Sequence, residues 1–248
     1  PYWLWDVGFL LSYFAVLSIV VFYKPIYNLM FVKNKILDYV WQLAAVSIAA
    51  QILTTPFSLY YFHQFPVYFL LSNLVVVPVS TAILIGTLIL VLLAPLKALA
   101  VFTGTLMEGA IWWLNTFIER MESFPFSLWT GISINPIQVV LLFIIIAALG
   151  FWLLAKYKIG FWMALASLAL FFSIRSYSFY NANHQQKIIV YNANRLAALD
   201  FISGRTYEFI GDTAITQNAS LSNFVLTPSR VFHRIKQTDH LPRFYKRG

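Results

Sequence analysis

Apolar residues run along this chain in six blocks, roughly Val7–Tyr23, Tyr39–Phe62, Pro66–Leu93, Leu99–Ile118, Ile137–Ala155 and Ile159–Ile174. Each approaches the ~20 residues that a helix needs to cross hydrocarbon. The third is long for one straight span and carries Pro78, which removes a backbone donor. It predicts either a tilted, bent span or a re-entrant piece followed by a span. In the fourth, Thr105, Glu108, Trp112, Asn115, Glu119 and Glu122 recur at spacings of three and four, one polar stripe on a helix. Such a helix either lines an aqueous cavity or lies flat in the membrane interface.

After Asn181 the pattern changes. "QKIIVYNAN" reads as a strand, and "AALDFISGRTYEFIGD" as two strands turning near Ser203-Gly204. From Thr213 onward the chain reads as loop and ends in the basic "RVFHRIKQTDHLPRFYKRG". The expected fold is an all-α polytopic membrane protein of about six transmembrane helices, one of them in-plane in the alternative reading, with a small C-terminal β-rich tail. The expected division is 1–178 for the membrane part and 179–248 for the tail.

Composition agrees with that class. Hydrophobic residues make up 60% of the 248 and charged ones only 10%, whereas a soluble domain is about a quarter charged. Cysteine is absent, which rules out disulfides and cysteine metal sites. The sequence opens at Pro1 without Met or a signal peptide; it is expected to begin inside a longer protein. The lysines orient the spans. Lys24, Lys33 and Lys35 follow the first block, Lys97 the third, and Lys156 and Lys158 the fifth. Six spans put these links on one face, cytoplasmic by the positive-inside rule. The links "HQFP" and Glu119–Asn135 then lie outside, as does the tail.

The stretch "AAQILTTPFSLYYFHQFPVYFLLSNLVVVP", Ala49 to Pro78, is oily yet interrupted by Gln51, Thr54, Thr55, Pro56, His63, Gln64, Asn73 and Pro78. Ser47, Gln51, Thr54 and Ser58 form one polar stripe, and Asn73, Ser80 and Thr87 another at intervals of seven. Lipid offers polar side chains no partner, so they turn toward other helices or toward water. Either they join helices by hydrogen bonds worth ~0.6–2 kcal/mol each, or they line a hydrated cavity. Pro56 and Pro78 deprive the carbonyls of Ile52 and Leu74 of their helical donors. Such breaks either line a cavity or are ordinary kinks. Tyr60, Tyr61, Phe62, Phe65, Tyr68 and Phe69 crowd the outer link, as an interfacial belt or as stacking faces for bases.

These residues carry a family resemblance. "DVGFLLSYFAV", Asp6 to Val16, resembles the "D-x-G-F-Q-L-S" opening of a span in the ComEC competence proteins. Leu10 stands where that pattern has glutamine. The Ala49–Pro78 stretch is similar to the next signature, with Ala-Gln, Thr-x-Pro, a Phe-x-Gln-Phe-like link and Asn-Leu-x-x-x-Pro. "MESFPFSLW", Met121 to Trp129, resembles an amphipathic helix followed by a proline-bearing turn. The resemblance covers about residues 1 to 155. It implies a channel in the bacterial cytoplasmic membrane that admits single-stranded DNA during natural transformation. Partners implied are the strand itself, the lipid bilayer, a DNA receptor and a cytoplasmic ATPase; self-association is left open. Many members add a metallo-β-lactamase-like domain with a His-x-His-x-Asp-His motif. Here His184, His233 and His240 are scattered, so no metal, no cofactor and no nuclease or other enzyme activity is expected. The tail is then a shortened relic of that domain, or the domain is cut off.

The candidate path residues are Gln51, Thr54, Thr55, Pro56, Asn73 and Pro78, with Asp6, His63, Gln64 and Glu108. Asp6 could equally cap the first helix, and His63 could be a plain interfacial histidine. Glu108 is an acid well inside an apolar block, a functional hypothesis by default. The basic end, Arg230–Gly248, attracts DNA, meets anionic headgroups or is simply solvated. Two other classes compete: a transporter of another anionic solute or lipid, and a membrane-embedded transferase. Against the second, no phosphate-cradling glycine loop, nucleophile motif or His/Asp/Glu cluster occurs. The orientation is testable in this cysteine-free chain. A cysteine replacing Gln64 should react with an impermeant external reagent, and one replacing Lys97 should be shielded. The reverse pattern of labelling would invert the topology.

Overall fold

In the computed structural model, residues 6–192, 198–212, 215 and 222–237 are described. Six long helices run in order: α1 (Val7–Tyr27), α2 (Lys35–Tyr61), α3 (Phe69–Leu93), α4 (Lys97–Ser123), α5 (Pro136–Ala155) and α6 (Lys158–His184). Short strands β1 (Gln64–Pro66) and β2 (Leu128–Thr130) lie in the α2–α3 and α4–α5 links and form a two-stranded sheet. Among the described residues five helices are long and apolar enough to cross a membrane: α1, α2, α3, α5 and α6. The protein is a polytopic, largely helical membrane protein with a small sheet at its C-terminal end. It divides into two compact units, Pro1–Thr55 with Phe65–Trp129, and Pro56–Gln64 with Thr130–Gly248.

In the first unit α1 starts where Asp6 accepts from the Phe9 amide at 3.1 Å, an ordinary N-cap. This helix meets α2 at Ala49, which is fully buried, as is Ser18. Ser18 uses that proximity. Its hydroxyl donates to the Ala49 carbonyl and accepts from the Leu53 amide at 3.2 Å. It is thus inserted into one rung of the α2 ladder, a recognised cause of helix bending. At the other end of this helix pair Asp38 accepts from the Tyr27 hydroxyl at 2.7 Å and from Gln42 Nε2 at 2.8 Å.

The α3–α4 pair bears on two points that the sequence left open. First, α3 runs unbroken through Pro78, and α2 through Pro56. Neither is a re-entrant or unwound segment, because one proline removes one donor while the flanking i→i+4 bonds persist. Second, α4 packs antiparallel along the full length of α3. Gly86 faces Met107 so closely that a Cβ there would stand 2.2 Å from its sulfur. Gly104 faces Leu90, and the Tyr68 and Phe124 rings meet at 6.1 Å. The turn between them is only Ala94 to Leu96. Although α4 is too polar to count as a span on its own, it runs beside α3, and neither helix has a fully buried residue. Its polar stripe, Thr105, Glu108, Trp112, Asn115, Glu119 and Glu122, lies on exposed positions, while Met107, Ala110 and Leu114 are half-buried.

In the second unit α5 and α6 touch backbone to backbone. A Cβ on Gly160 would lie 2.5 Å from the Ala148 carbonyl. The Asn135–Gln138 capping box opens α5, and Lys156, left-handed at φ 58°, ends it. α6 outlasts its apolar block by ten residues, to His184. The tail follows as a four-stranded sheet in the order β3-β4-β5-β6, with β3 (Gln186–Val190), β4 (Ala198–Ser203), β5 (Thr206–Gly211) and β6 (Lys236–Gln237). β3–β4 and β4–β5 are antiparallel; β5–β6 is parallel. Gly204, at φ 61°, makes the two-residue hairpin turn. The expectation of loop after Thr213 is corrected. A π-helical turn (Ser222–Leu226), the short helix α7 (Thr227–Phe232) and β6 occur there, since Leu226 and Ile235 bury themselves in the tail's two small apolar clusters. The basic end beyond 237 lies outside the described residues.

One ion pair organises this tail. Asp200 is fully buried on β4 and takes both Nε and Nη2 of Arg230, at 2.8 and 3.0 Å, and the Tyr191 hydroxyl at 2.6 Å. The Arg230 guanidinium also lies 4.0 Å from the Tyr207 ring centroid. Burial and the Asp200 bond push the Tyr191 hydroxyl up from 10.0 to about 12. A raised value in the folded state contributes stability that is fully present below pH ~10 and is lost as pH rises through ~12. Proteolysis of the tail should therefore accelerate between those limits, less steeply in Tyr191→Phe. Asp200→Ala should expose the tail to protease at neutral pH, because stranding a buried partner costs roughly 3–5 kcal/mol.

Candidate functional site: a polar cleft between α2, α3 and α4

Within the first unit a cleft of about 290 Å³ is lined by Gln51, Pro66, Tyr68, Phe69, Ser72, Asn73, Ile118, Met121, Glu122, Ser127 and Leu128. It is at the small end of the ~300–1,000 Å³ typical of ligand pockets. Three helices and the two links build it. α2 contributes Gln51 from the turn beside the Ser18 insertion. α3 contributes Ser72 and Asn73 from its first turn, and α4 contributes Ile118, Met121 and Glu122 from its last turns. The links close one end: the Val67 amide donates to the Ser127 carbonyl at 2.9 Å. Ser127 Oγ donates to the Glu122 carbonyl at 2.6 Å, and the Tyr68 hydroxyl donates to the Pro125 carbonyl at 3.1 Å.

The polar groups divide by chemistry. Thr54 donates its hydroxyl proton to the Ala50 carbonyl at 2.9 Å and Thr55 to the Gln51 carbonyl at 2.6 Å. Such back-bonding to residue i−4 satisfies a hydroxyl on its own helix. Thr81, Thr87, Thr103, Thr105 and Thr116 do the same. The Gln51 side chain is met locally at its oxygen alone, where Oε1 accepts from Thr54 and Thr55 at 3.4 and 3.5 Å. The Gln51 Nε2 group and the Asn73 amide make no hydrogen bond among the described residues, and both line the cleft. The cleft therefore offers neutral donors and acceptors from two helices, the rings of Tyr68 and Phe69, one carboxylate and no cation.

The other candidates lie apart from this cleft. Pro56 is fully buried and Pro78 is half-buried inside α3. Asp6 is exposed and caps α1. Glu108 lies on the exposed face of α4, outside the cleft. Gln64 begins β1. His63 is left-handed at φ 55°, its carbonyl accepts from the Ile132 amide at 3.0 Å, and its Nδ1 is buried with no partner among the described residues. Sequence reasoning did not select Ser72, Tyr68 or Glu122 for the cleft. Glu122 was visible as a member of the α4 stripe, but only the pairing of α4 with α3 brings it opposite Asn73's helix. Among the described residues no group of three or more His, Asp or Glu could hold a metal.

The family model for the Competence protein family matches residues 1–157. The chain belongs to this family. No curated protein and no solved structure matched it. The matched region contains the whole cleft, and membership gives this membrane protein a role in competence and DNA uptake. The division of polar groups makes a discriminating prediction for this competence protein. Thr54→Val and Thr55→Val should leave transformation frequency within about twofold of wild type. Gln51→Leu should lower it about fivefold, as loss of one useful hydrogen bond would, at equal membrane abundance on immunoblots.

Proposed function

We propose that this competence protein passes one strand of DNA across the bacterial cytoplasmic membrane, and that the α2–α3–α4 cleft is where the strand is handled. The observation that carries the reading is that the side-chain amides of Gln51 and Asn73, from two different helices, line one shared cleft inside the family-matched region. A DNA strand carries one charge per nucleotide and needs a hydrated route with donors for phosphate and faces for bases. Neutral amides donate to a phosphate without the strong hold of a guanidinium. Glu122 adds a repulsion that shortens the stay. Tyr68 and Phe69 supply stacking worth ~1–3 kcal/mol per base. A route that grips weakly releases its cargo, as a conduit must.

On this reading the chain acts as a conduit and not as an enzyme. The links that close the cleft face outward, the tail is extracytoplasmic, and a DNA receptor and a cytoplasmic ATPase are its partners. A transporter built for a tightly held anion would place a cation in the cleft; among the described residues the charged lining residue is Glu122. The test is genetic and biochemical together. Deleting the gene should abolish transformation while DNA still binds the cell surface. Asn73→Leu should reduce entry of labelled strand about fivefold, and Asn73→Asp more than that, since it sets a second carboxylate beside Glu122. Undiminished entry in both Asn73 variants would refute the cleft's role. Transformation that survives the deletion would refute the conduit itself.

A further inference from the structure

Three guanidiniums surround one phenylalanine in the second unit. Arg234, Arg205 and Arg175 stand 4.4, 5.1 and 5.4 Å from the Phe179 ring centroid. Arg234 is 8% exposed and is fixed by two bonds, Nε to Ser178 Oγ at 3.1 Å and Nη2 to the Ser133 carbonyl at 3.0 Å. Its backbone is held left-handed at φ 56°, a conformation that non-glycine residues seldom adopt. Arg205 spends its Nε on the Arg234 carbonyl at 3.3 Å. Arg175 is half-buried on α6. Among the described residues none of the three guanidiniums has a carboxylate within ion-pair distance.

A phenylalanine face offsets little of that charge, since a cation–π contact is worth ~0.5–2 kcal/mol. Burial pulls the Arg234 guanidinium below its ordinary value, and Arg175 and Arg205 pull it the same way. His233 is lowered by burial and by Lys187, which extends the positive region. A partly desolvated cluster of like charges is a site for an anion. Guanidinium forks suit the paired oxygens of a phosphate.

Its depth selects the source of that phosphate. α6 carries no charge between Lys158 and Arg175. The seventeen-residue step is about 26 Å at 1.5 Å per residue, close to the ~30 Å hydrocarbon thickness. Tyr177 and Tyr180, both more than 60% exposed, stand just beyond Arg175, where an interfacial aromatic belt belongs. We infer that Arg175, Arg205 and Arg234, arrayed around Phe179, form a binding site for the phosphate of an anionic phospholipid headgroup. The lipid locks the tail's β4–β5 hairpin and α6 together at the membrane surface. This inference does not depend on the conduit reading.

The test uses the full chain purified in detergent, with its unfolding midpoint followed by tryptophan fluorescence. Phosphatidylglycerol should raise the midpoint, saturating at least about tenfold lower than phosphatidylcholine, whose choline cation the arginines repel. Arg175→Gln/Arg205→Gln should lose that preference. If the double variant fails to fold, Arg175→Gln alone decides, because its guanidinium is placed only against the Phe179 ring. An equal response to both lipids, or a preference that survives Arg175→Gln, would overturn the site. Inorganic phosphate acting at the same concentration as phosphatidylglycerol would overturn the lipid as its source. So would a single-stranded oligonucleotide that raises the midpoint while phosphatidylglycerol does not.

Discussion

In hydrocarbon a polar atom has no water to fall back on, so every amide, hydroxyl and carboxylate on a span must find its partner within the protein or face a wet space. That constraint sorts this chain. Hydroxyls bond back to their own helix, as Thr54, Thr55, Thr81 and Thr87 do. Ser18 reaches across to a neighbouring helix and enters its ladder. The side-chain amides of Gln51 and Asn73 line a cleft. The acids of α4 sit on its exposed side. Gln138 Nε2 on α5 is buried without a partner among the described residues and does not line that cleft.

The same rule explains which parts of the structure were legible in advance. Helices α1, α2, α3 and α5 fall where runs of apolar residues are bounded by lysine, asparagine or proline, because length and hydropathy alone decide them. The β4–β5 hairpin was legible too: only Gly204 suits the turn's left-handed position. The extension of α6 was hidden, since beyond Ile174 the helix leaves the hydrocarbon and its composition turns polar. So were α7 and β6, which exist by virtue of Leu226 and Ile235 packing against residues far away in sequence.

For the cleft, the amides carried the usable signal and the threonines did not. A threonine in a membrane helix can satisfy itself four residues back, so a stripe of hydroxyls is compatible with a dry bundle. A glutamine or asparagine at the same depth cannot do so as readily. Pairing Gln51 with Asn73 was within reach of sequence reasoning. Adding Ser72, Tyr68 and Glu122 was not, because their convergence depends on α4 doubling back along α3 with Gly86 against Met107.

That doubling back bears on how the protein is made. Carboxylates at Glu108, Glu119 and Glu122 make α4 a poor candidate for entering a bilayer unaided. Its neighbour α3 is a willing one, and the three-residue turn between them leaves no slack. A machinery that inserts α3 meets α4 as the second limb of one helical hairpin, three residues from the oily limb.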